Sequence, residues 1–196
     1  MRIEPVSLIG ESVSLEPLTM DHVPDLCEVG LEQELWKWTI SEIRDEAAMY
    51  GYASSALDDQ QKGIALPFIT RDRATSRIVG STRFGNIDTA NRRAEIGWTW
   101  VAPAWQRTYV NTEAKLLMLM HAFETWNCIR VEFKTDALNE RSRQALARIG
   151  AYEEGIFRNH MITETGRFRD SVYFSIIDSE WPSVKKNLMA MLRHEG

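Results

Sequence analysis

The stretch 103–115, PAWQRTYVNTEAK, decides how the rest of the chain is read. It follows the alternating run RAEIGWTWV (93–101) and precedes a continuous apolar run from Leu116 to Met120. The order is a strand stop at Pro103, a polar turn, and the start of a helix. Such a junction aims backbone N–H groups and the positive end of a helix at one point, which suits a phosphate. Glycine is expected where backbone must approach an anion closely. Tyr109 stands there instead.

Upstream of this junction, ALPFITRD, SRIVGSTRFGNI and RAEIGWTWVA are strand-like and are separated by the turn-forming RDRATS and DTANRR, so an antiparallel meander is expected. Ser12–Leu18 alternates as a first strand. Thr19 to about Leu35 has helical spacing with Thr19 or Asp21 as the cap, and a second helix is expected from about Ser41 to Asp59. Between them, an extended link would turn Trp36 and Trp38 to one side.

Downstream, Thr112–Trp126 is expected to be a buried helix and IRVEFKT (129–135) a strand. Asn139–Ile149 reads as a helix ended by Gly150. Ala151–Ile162 and Phe168–Ile177 are strands around the TETGR turn. The tail, 180–196, reads as a helix begun near Pro182 whose Leu188, Met189, Met191 and Leu192 could pack on a second copy. The expected class is α+β, with a mixed, mostly antiparallel sheet of about seven strands. With no linker or composition break, 1–196 reads as one domain.

Apolar residues make up 44% and charged residues 26%, which excludes disordered and collagen-like classes. No apolar run approaches the ~18 residues of a membrane span, and the N-terminus lacks an export pattern, so a cytoplasmic location is expected. Cys27 and Cys128 have no metal-type spacing, and His22, His121, His160 and His194 are scattered, so no metal is expected. Residues 1–62 hold 4 Lys or Arg against 13 Asp or Glu, whereas 63–196 hold 19 against 15. An acidic half suits a cationic substrate and a basic half an anionic cofactor; solvated helix faces account for the same pattern. Without a basic stripe interleaved with aromatics, nucleic-acid binding is not expected.

The element order, together with WQRTYVNTEAK (105–115) and KTDALNERSRQALARIGA (134–151), resembles the GNAT superfamily of N-acetyltransferases, and most of all its RimJ/RimL-like branch. The resemblance implies a sheet splayed at its centre, helices on both faces, and acetyl-CoA held between the strand ending at Val101 and the strand beginning at Ile129. The family's diphosphate loop, Gln/Arg-x-x-Gly-x-Gly/Ala, falls on Gln106, Arg107, Thr108, Tyr109, Val110 and Asn111. Tyr109 and Asn111 depart from its two glycine positions. If position 109 needs φ > 0, a tyrosine costs ~1–2 kcal/mol there and its ring must swing outward. With ordinary helical dihedrals the N–H cradle survives. The resemblance further implies that Asn139 binds near the pantetheine arm and that Ser142 faces the thioester sulfur; both residues also suit simple helix capping.

Backbone N–H groups of Trp100 to Ala102 are the candidates for polarising the acyl carbonyl. Glu95 is the candidate base, with an exposed pairing to Arg92 or Arg93 as the other reading. Trp36 and Trp38 are candidate acceptor-pocket walls or core residues. His160 could orient substrate or be structural, Arg169 with Asp170 looks like an ion pair, and Cys128 looks like an inert core thiol. Two functions follow: transfer of acetyl from acetyl-CoA to a primary amine (a protein N-terminus or a small cationic amine), or a GNAT-shaped sensor or binding protein whose cofactor loop Tyr109 has altered.

Overall fold

The computed structural model describes residues 1–194 and contains one eight-stranded sheet in the order β1-β2-β3-β4-β5-β6-β8-β7. The strands are β1 (Leu8–Ile9), β2 (Val13–Pro17), β3 (Leu66–Asp72), β4 (Ile78–Asp88), β5 (Arg93–Val101), β6 (Arg130–Asp136), β7 (Tyr152–Ile162) and β8 (Phe168–Ile177). All neighbouring pairs are antiparallel except β5 with β6. That parallel pair is joined through helix α3 (Tyr109–Met120), as a parallel connection requires. The short β1 has too few residues to show a period-two pattern, and it brings the count to eight.

The expected first helix is three pieces: a 3₁₀ turn (Met20–His22), α1 (Val23–Gly30) and a second 3₁₀ turn (Gln33–Leu35). Pro24 explains the break, because proline fits the first helical turn and not an interior one. The helix α2 (Glu46–Gln61) starts where the Asp45 side chain accepts from the Ala48 N–H at 2.8 Å. Helix α3 passes at His121–Thr125 into a π-helical turn, which sets Phe123 and Trp126 in the core. Helix α4 (Glu140–Ile149) ends at Gly150, whose φ of 97° is cheap only for glycine. Helix α5 (Trp181–His194) buries Leu188 fully and packs Met191 on the same core, so it spends most of its apolar face on its own chain. Met189 is its exposed member.

Two cores result. One joins β6 and β8 residues Val131, Phe133, Val172, Phe174 and Ile176 to α3, α4 and α5. The other joins α1 and α2 to Trp36, Ile69, Ile78 and Trp100 on the opposite face. On β6 and β8 the alternate residues are polar, because successive side chains on a strand point to opposite faces. Glu132, Lys134 and Asp136 thus stand beside their register partners Ser175, Tyr173 and Ser171 on a face that α3, α4 and α5 do not cover.

Candidate active site

Strands β5 and β6 pair only at Arg93–Arg130, Ala94–Val131 and Glu95–Glu132. Beyond these residues they separate, although β5 continues to Val101 and β6 to Asp136. The split opens toward the carboxyl ends of both strands, where a ligand crevice is expected in a parallel pair. A bulge in β5 accompanies it: Trp98 takes φ 49°, and its ring lies 4.8 Å from the Arg83 guanidinium. A Cβ at Gly85 would lie 2.3 Å from that ring, so the glycine makes room for the bulge.

The helices α3 and α4 both begin at this mouth. Thr108 caps α3, accepting from the Val110 N–H at 3.4 Å while its hydroxyl donates to the Trp105 carbonyl at 2.7 Å. Among the described residues the N–H groups of Arg107, Thr108 and Tyr109 have no acceptor. Tyr109 is the first residue of α3 and has no positive φ. Arg107, two residues earlier, takes the left-handed conformation at φ 62°, at a cost of about 1 kcal/mol. Asn111 is helical as well, so it neither caps nor bends the loop; its Oδ1 is buried without a partner. Val110 is a fully buried core residue, so only its backbone remains near the loop.

The Tyr109 ring is turned from the loop: its hydroxyl donates to Asp72 Oδ1 at 2.6 Å, at the end of β3. That bond, burial and the nearby charge push the phenol up to about 12. Burial would raise the Asp72 carboxyl, but hydrogen bonds from Thr75 and Tyr109 leave it below its usual value. At the second helix, Asn139 Oδ1 accepts from the Ser142 N–H at 3.1 Å, a capping bond. The Ser142 hydroxyl has no partner among the described residues. The two helix starts touch, since Arg141 Nη1 donates to Gln106 Oε1 at 2.9 Å and Gln106 Nε2 donates to the Val101 carbonyl at 3.0 Å.

On the polar face, below the point where β5 and β6 part, lies a cleft of about 850 Å³ lined by Asn86, Glu95, Lys134, Glu154, Phe157 and Tyr173 among others. Glu95 is buried in it, accepting from Asn86 Nδ2 at 2.7 Å and pairing with Lys134 Nζ at 2.9 Å.

The sequence and the fold that carry this split sheet are similar to known proteins. The model of the acetyltransferase (GNAT) domain matches residues 12–152. The chain belongs to the GNAT acetyltransferase family.

Relatives place this GNAT protein on the RimJ/RimL-like branch, among the acyltransferases. It is 34% identical over 108 residues to YdaF of Bacillus subtilis (strain 168), whose naming as a ribosomal N-acetyltransferase is provisional; the match covers 55% of this chain and 58% of YdaF. The chain thus spans little more than half the length of that relative. A GCN5-related N-acetyltransferase from Brucella melitensis superposes with a TM-score of 0.88 at 31% identity, over 96% of this chain and 86% of that one. RimJ from Mycobacterium smegmatis, solved with CoA-disulfide, superposes with a TM-score of 0.78 at 26% identity, over 91% and 88%.

Within this GNAT frame several sequence expectations need correction. Glu95 is buried against Lys134 rather than exposed beside Arg92 or Arg93; Arg93 pairs with Asp88 and Glu132 instead. Of the backbone donors expected at Trp100 to Ala102, the Ala102 N–H is taken by the Val79 carbonyl at 2.8 Å. Antiparallel alternation then turns Trp100 toward β4 as well, and leaves Thr99 and Val101 facing the split. The Trp100 side chain is core, 5.6 Å from Trp36.

The link carrying Trp36 and Trp38 is turned rather than extended, so the two rings part. Trp36 is buried, donating from Nε1 to the Gly30 carbonyl at 2.7 Å, and is no pocket wall. Trp38 instead reaches the Arg167 guanidinium, 5.6 Å from its ring. Arg167 in turn pairs with the buried Asp136 at the end of β6. Arg169 lies 3.9 Å from Asp136, while Asp170, on the other side of the strand, accepts from the Asn159 N–H. His160 lies 3.5 Å from the Tyr173 hydroxyl, and burial lowers its pKa. Burial pushes the Cys128 thiol up to about 11, as fits an inert core position.

Sequence reasoning missed Asn86, Lys134, Asp72 and Arg141, all of which act through partners on other elements of the fold. It also missed Lys115, which is fully buried, donates to Thr99 Oγ1 at 2.8 Å and is pushed down to about 7 by burial. Among the described residues no cluster of His, Cys, Asp or Glu is placed to hold a metal ion, and no helix is long and apolar enough to cross a membrane.

Proposed function

We propose that this GNAT protein transfers the acetyl group of acetyl-CoA to a primary amine, with a protein N-terminus as the acceptor class, in the cytoplasm. The observation that carries the reading is the set of unspent N–H groups at Arg107, Thr108 and Tyr109, aimed from the start of α3 at the mouth of the β5–β6 split. With the Tyr109 ring bound to Asp72, the loop fits a diphosphate without its glycines. The CoA-disulfide found with the mycobacterial RimJ and the provisional naming of YdaF support the donor and the acceptor class.

In this reading acetyl-CoA supplies a thioester as the activated acyl group. Gln106 and Arg107, with the N–H groups of 107–109, hold the diphosphate, and Asn139 steadies the arm that leads into the split. Thr99 and Val101 of β5 present N–H groups to an acyl oxygen. The amine arrives through the polar cleft, and Glu95, held by Asn86 and Lys134, takes the proton lost as the C–N bond forms. The Ser142 hydroxyl donates to the sulfur as the C–S bond breaks. Trp38, beside Arg167, borders the acceptor path.

Thermal melting with acetyl-CoA tests donor binding, because a ligand at 100-fold over its Kd adds about 2.7 kcal/mol of stability. Mass spectrometry of peptides, polyamines and aminoglycosides incubated with acetyl-CoA tests the acceptor. Acetylation confined to peptide α-amines is expected. A melting shift without any acetylation would favour a sensor or binding module, and no shift would remove the donor altogether.

A further inference from the structure

We propose that Arg141, at the start of α4, is a donor-binding residue that grips the diphosphate from the side opposite α3. This rests on the acetyl-CoA reading and goes beyond the loop residues 106–111. The loop has lost its small residues: an arginine occupies the left-handed position at 107 and a tyrosine the first helical position at 109. Backbone that carries Cβ atoms cannot approach phosphate as closely as glycine does, so the cradle is shallower on the α3 side. A long cationic side chain reaching in from the other wall compensates for a shallow cradle.

Arg141 is placed to do this. It lies on the other strand–helix junction of the split, yet its Nη1 bonds Gln106 Oε1, the first residue of the loop. A guanidinium has five N–H groups, and among the described residues the others on Arg141 have no acceptor. The Arg141 side chain is exposed, and so is Arg107, whose side chain has no partner among the described residues either. Two cations with unspent donors thus flank the free N–H groups of 107–109. An arginine is suited to the task because its planar fork matches phosphate oxygens in pairs. Gln106 is tied at its other end to the Val101 carbonyl, so it holds the Arg141 head at the mouth of the split before any ligand arrives.

The test measures binding of CoA, 3′-dephospho-CoA and acetylpantetheine to the wild-type protein, Arg141→Gln and Arg141→Lys, by calorimetry over a range of salt. Arg141→Gln is expected to weaken CoA and 3′-dephospho-CoA alike by about 10-fold or more, and to flatten the salt dependence of both. Arg141→Lys should recover part of the loss, and acetylpantetheine, which lacks the diphosphate, should bind all three proteins equally. Unfolding midpoints of the variants, measured alongside, separate a folding defect from a binding one. Equal CoA affinity for wild type and Arg141→Gln overturns the proposal. So does a loss seen with CoA but absent with 3′-dephospho-CoA, which would assign Arg141 to the 3′-phosphate. A wild-type protein that binds no CoA overturns the donor reading, and the Arg141 assignment with it.

Discussion

The Tyr109 hydroxyl and the Asp72 carboxylate are 2.6 Å apart, and this bond ties the start of α3 to the end of β3. Asp72 is fully buried and also accepts from the Thr75 backbone and hydroxyl, at 2.8 and 2.6 Å. The tyrosine that occupies a glycine position is therefore a tether, and its ring leaves the loop clear.

Tyr109→Phe should cost about 1–3 kcal/mol, because a buried charged acceptor loses one donor. The bond also has a pH signature. Folded Tyr109 holds its proton to about 12, while the unfolded residue releases it near 10, so stability should fall as pH rises across that window. Asp72 acts at the other end: its contribution is present above the unfolded carboxylate pKa and is lost as pH falls through its lower folded value. Denaturation of the phenylalanine variant should show a weaker dependence in both ranges. Tyr109→Gly is expected to lower the melting temperature, because it removes the tether to Asp72.

Lys115 should give a pH dependence of the opposite sign. It titrates near 7 when folded and near 10.5 when unfolded, so between those values the unfolded chain holds more protons and stability rises with pH. Lys115→Met, similar in length and free of charge, should raise stability at pH 7 by about 2–4 kcal/mol and abolish that rise. Urea unfolding at pH 7 and pH 10 checks both; an unchanged difference would show that the ammonium finds water or a counter-charge.

Glu95→Gln should lower kcat by about 10²-fold or more and flatten the acidic limb of the pH–rate profile, if the carboxylate takes the amine proton. Binding of CoA should not change. Because Lys134 would lose its charge partner, Lys134→Met in the glutamine background separates the ion pair from the base. A profile that keeps its limb in the single variant would clear Glu95 of the role.

Asp136→Asn should be destabilising by about 3–5 kcal/mol, since it leaves the partly buried Arg167 and the buried Arg169 without their carboxylate. The same change should loosen Trp38 from Arg167 and raise KM for the acceptor more than for acetyl-CoA. Steady-state kinetics with each substrate varied in turn measures the split.

Much of the fold was legible from periodicity. The meander of β3 to β5, the alternation of Val131, Phe133 and Thr135, and the stop at Gly150 depend on neighbours within a few residues. The break at Pro24 was visible in principle, yet the apolar spacing of 23, 26, 27, 31 and 35 masked it. The candidate site was legible only in part. Gln106 to Asn111 could be placed at a helix start, but which residue would take the left-handed conformation depended on where α3 began, and that residue is Arg107. Glu95 could be placed on one face of a strand, whereas its burial against Lys134 depends on a parallel pairing with residues 37 positions later, at Arg93–Arg130 through Glu95–Glu132.

The chain's own order of residues determined the elements, the α+β class and the strand–loop–helix junction at 101–109, because hydrophobic period, caps and turn residues act locally. Tertiary packing alone decided that Tyr109 turns to Asp72, that Trp36 goes inside while Trp38 stays at Arg167, and that Arg141 meets Gln106. Those outcomes are set by contacts between segments that meet only after folding, where burial and hydrogen-bond satisfaction outweigh any local preference.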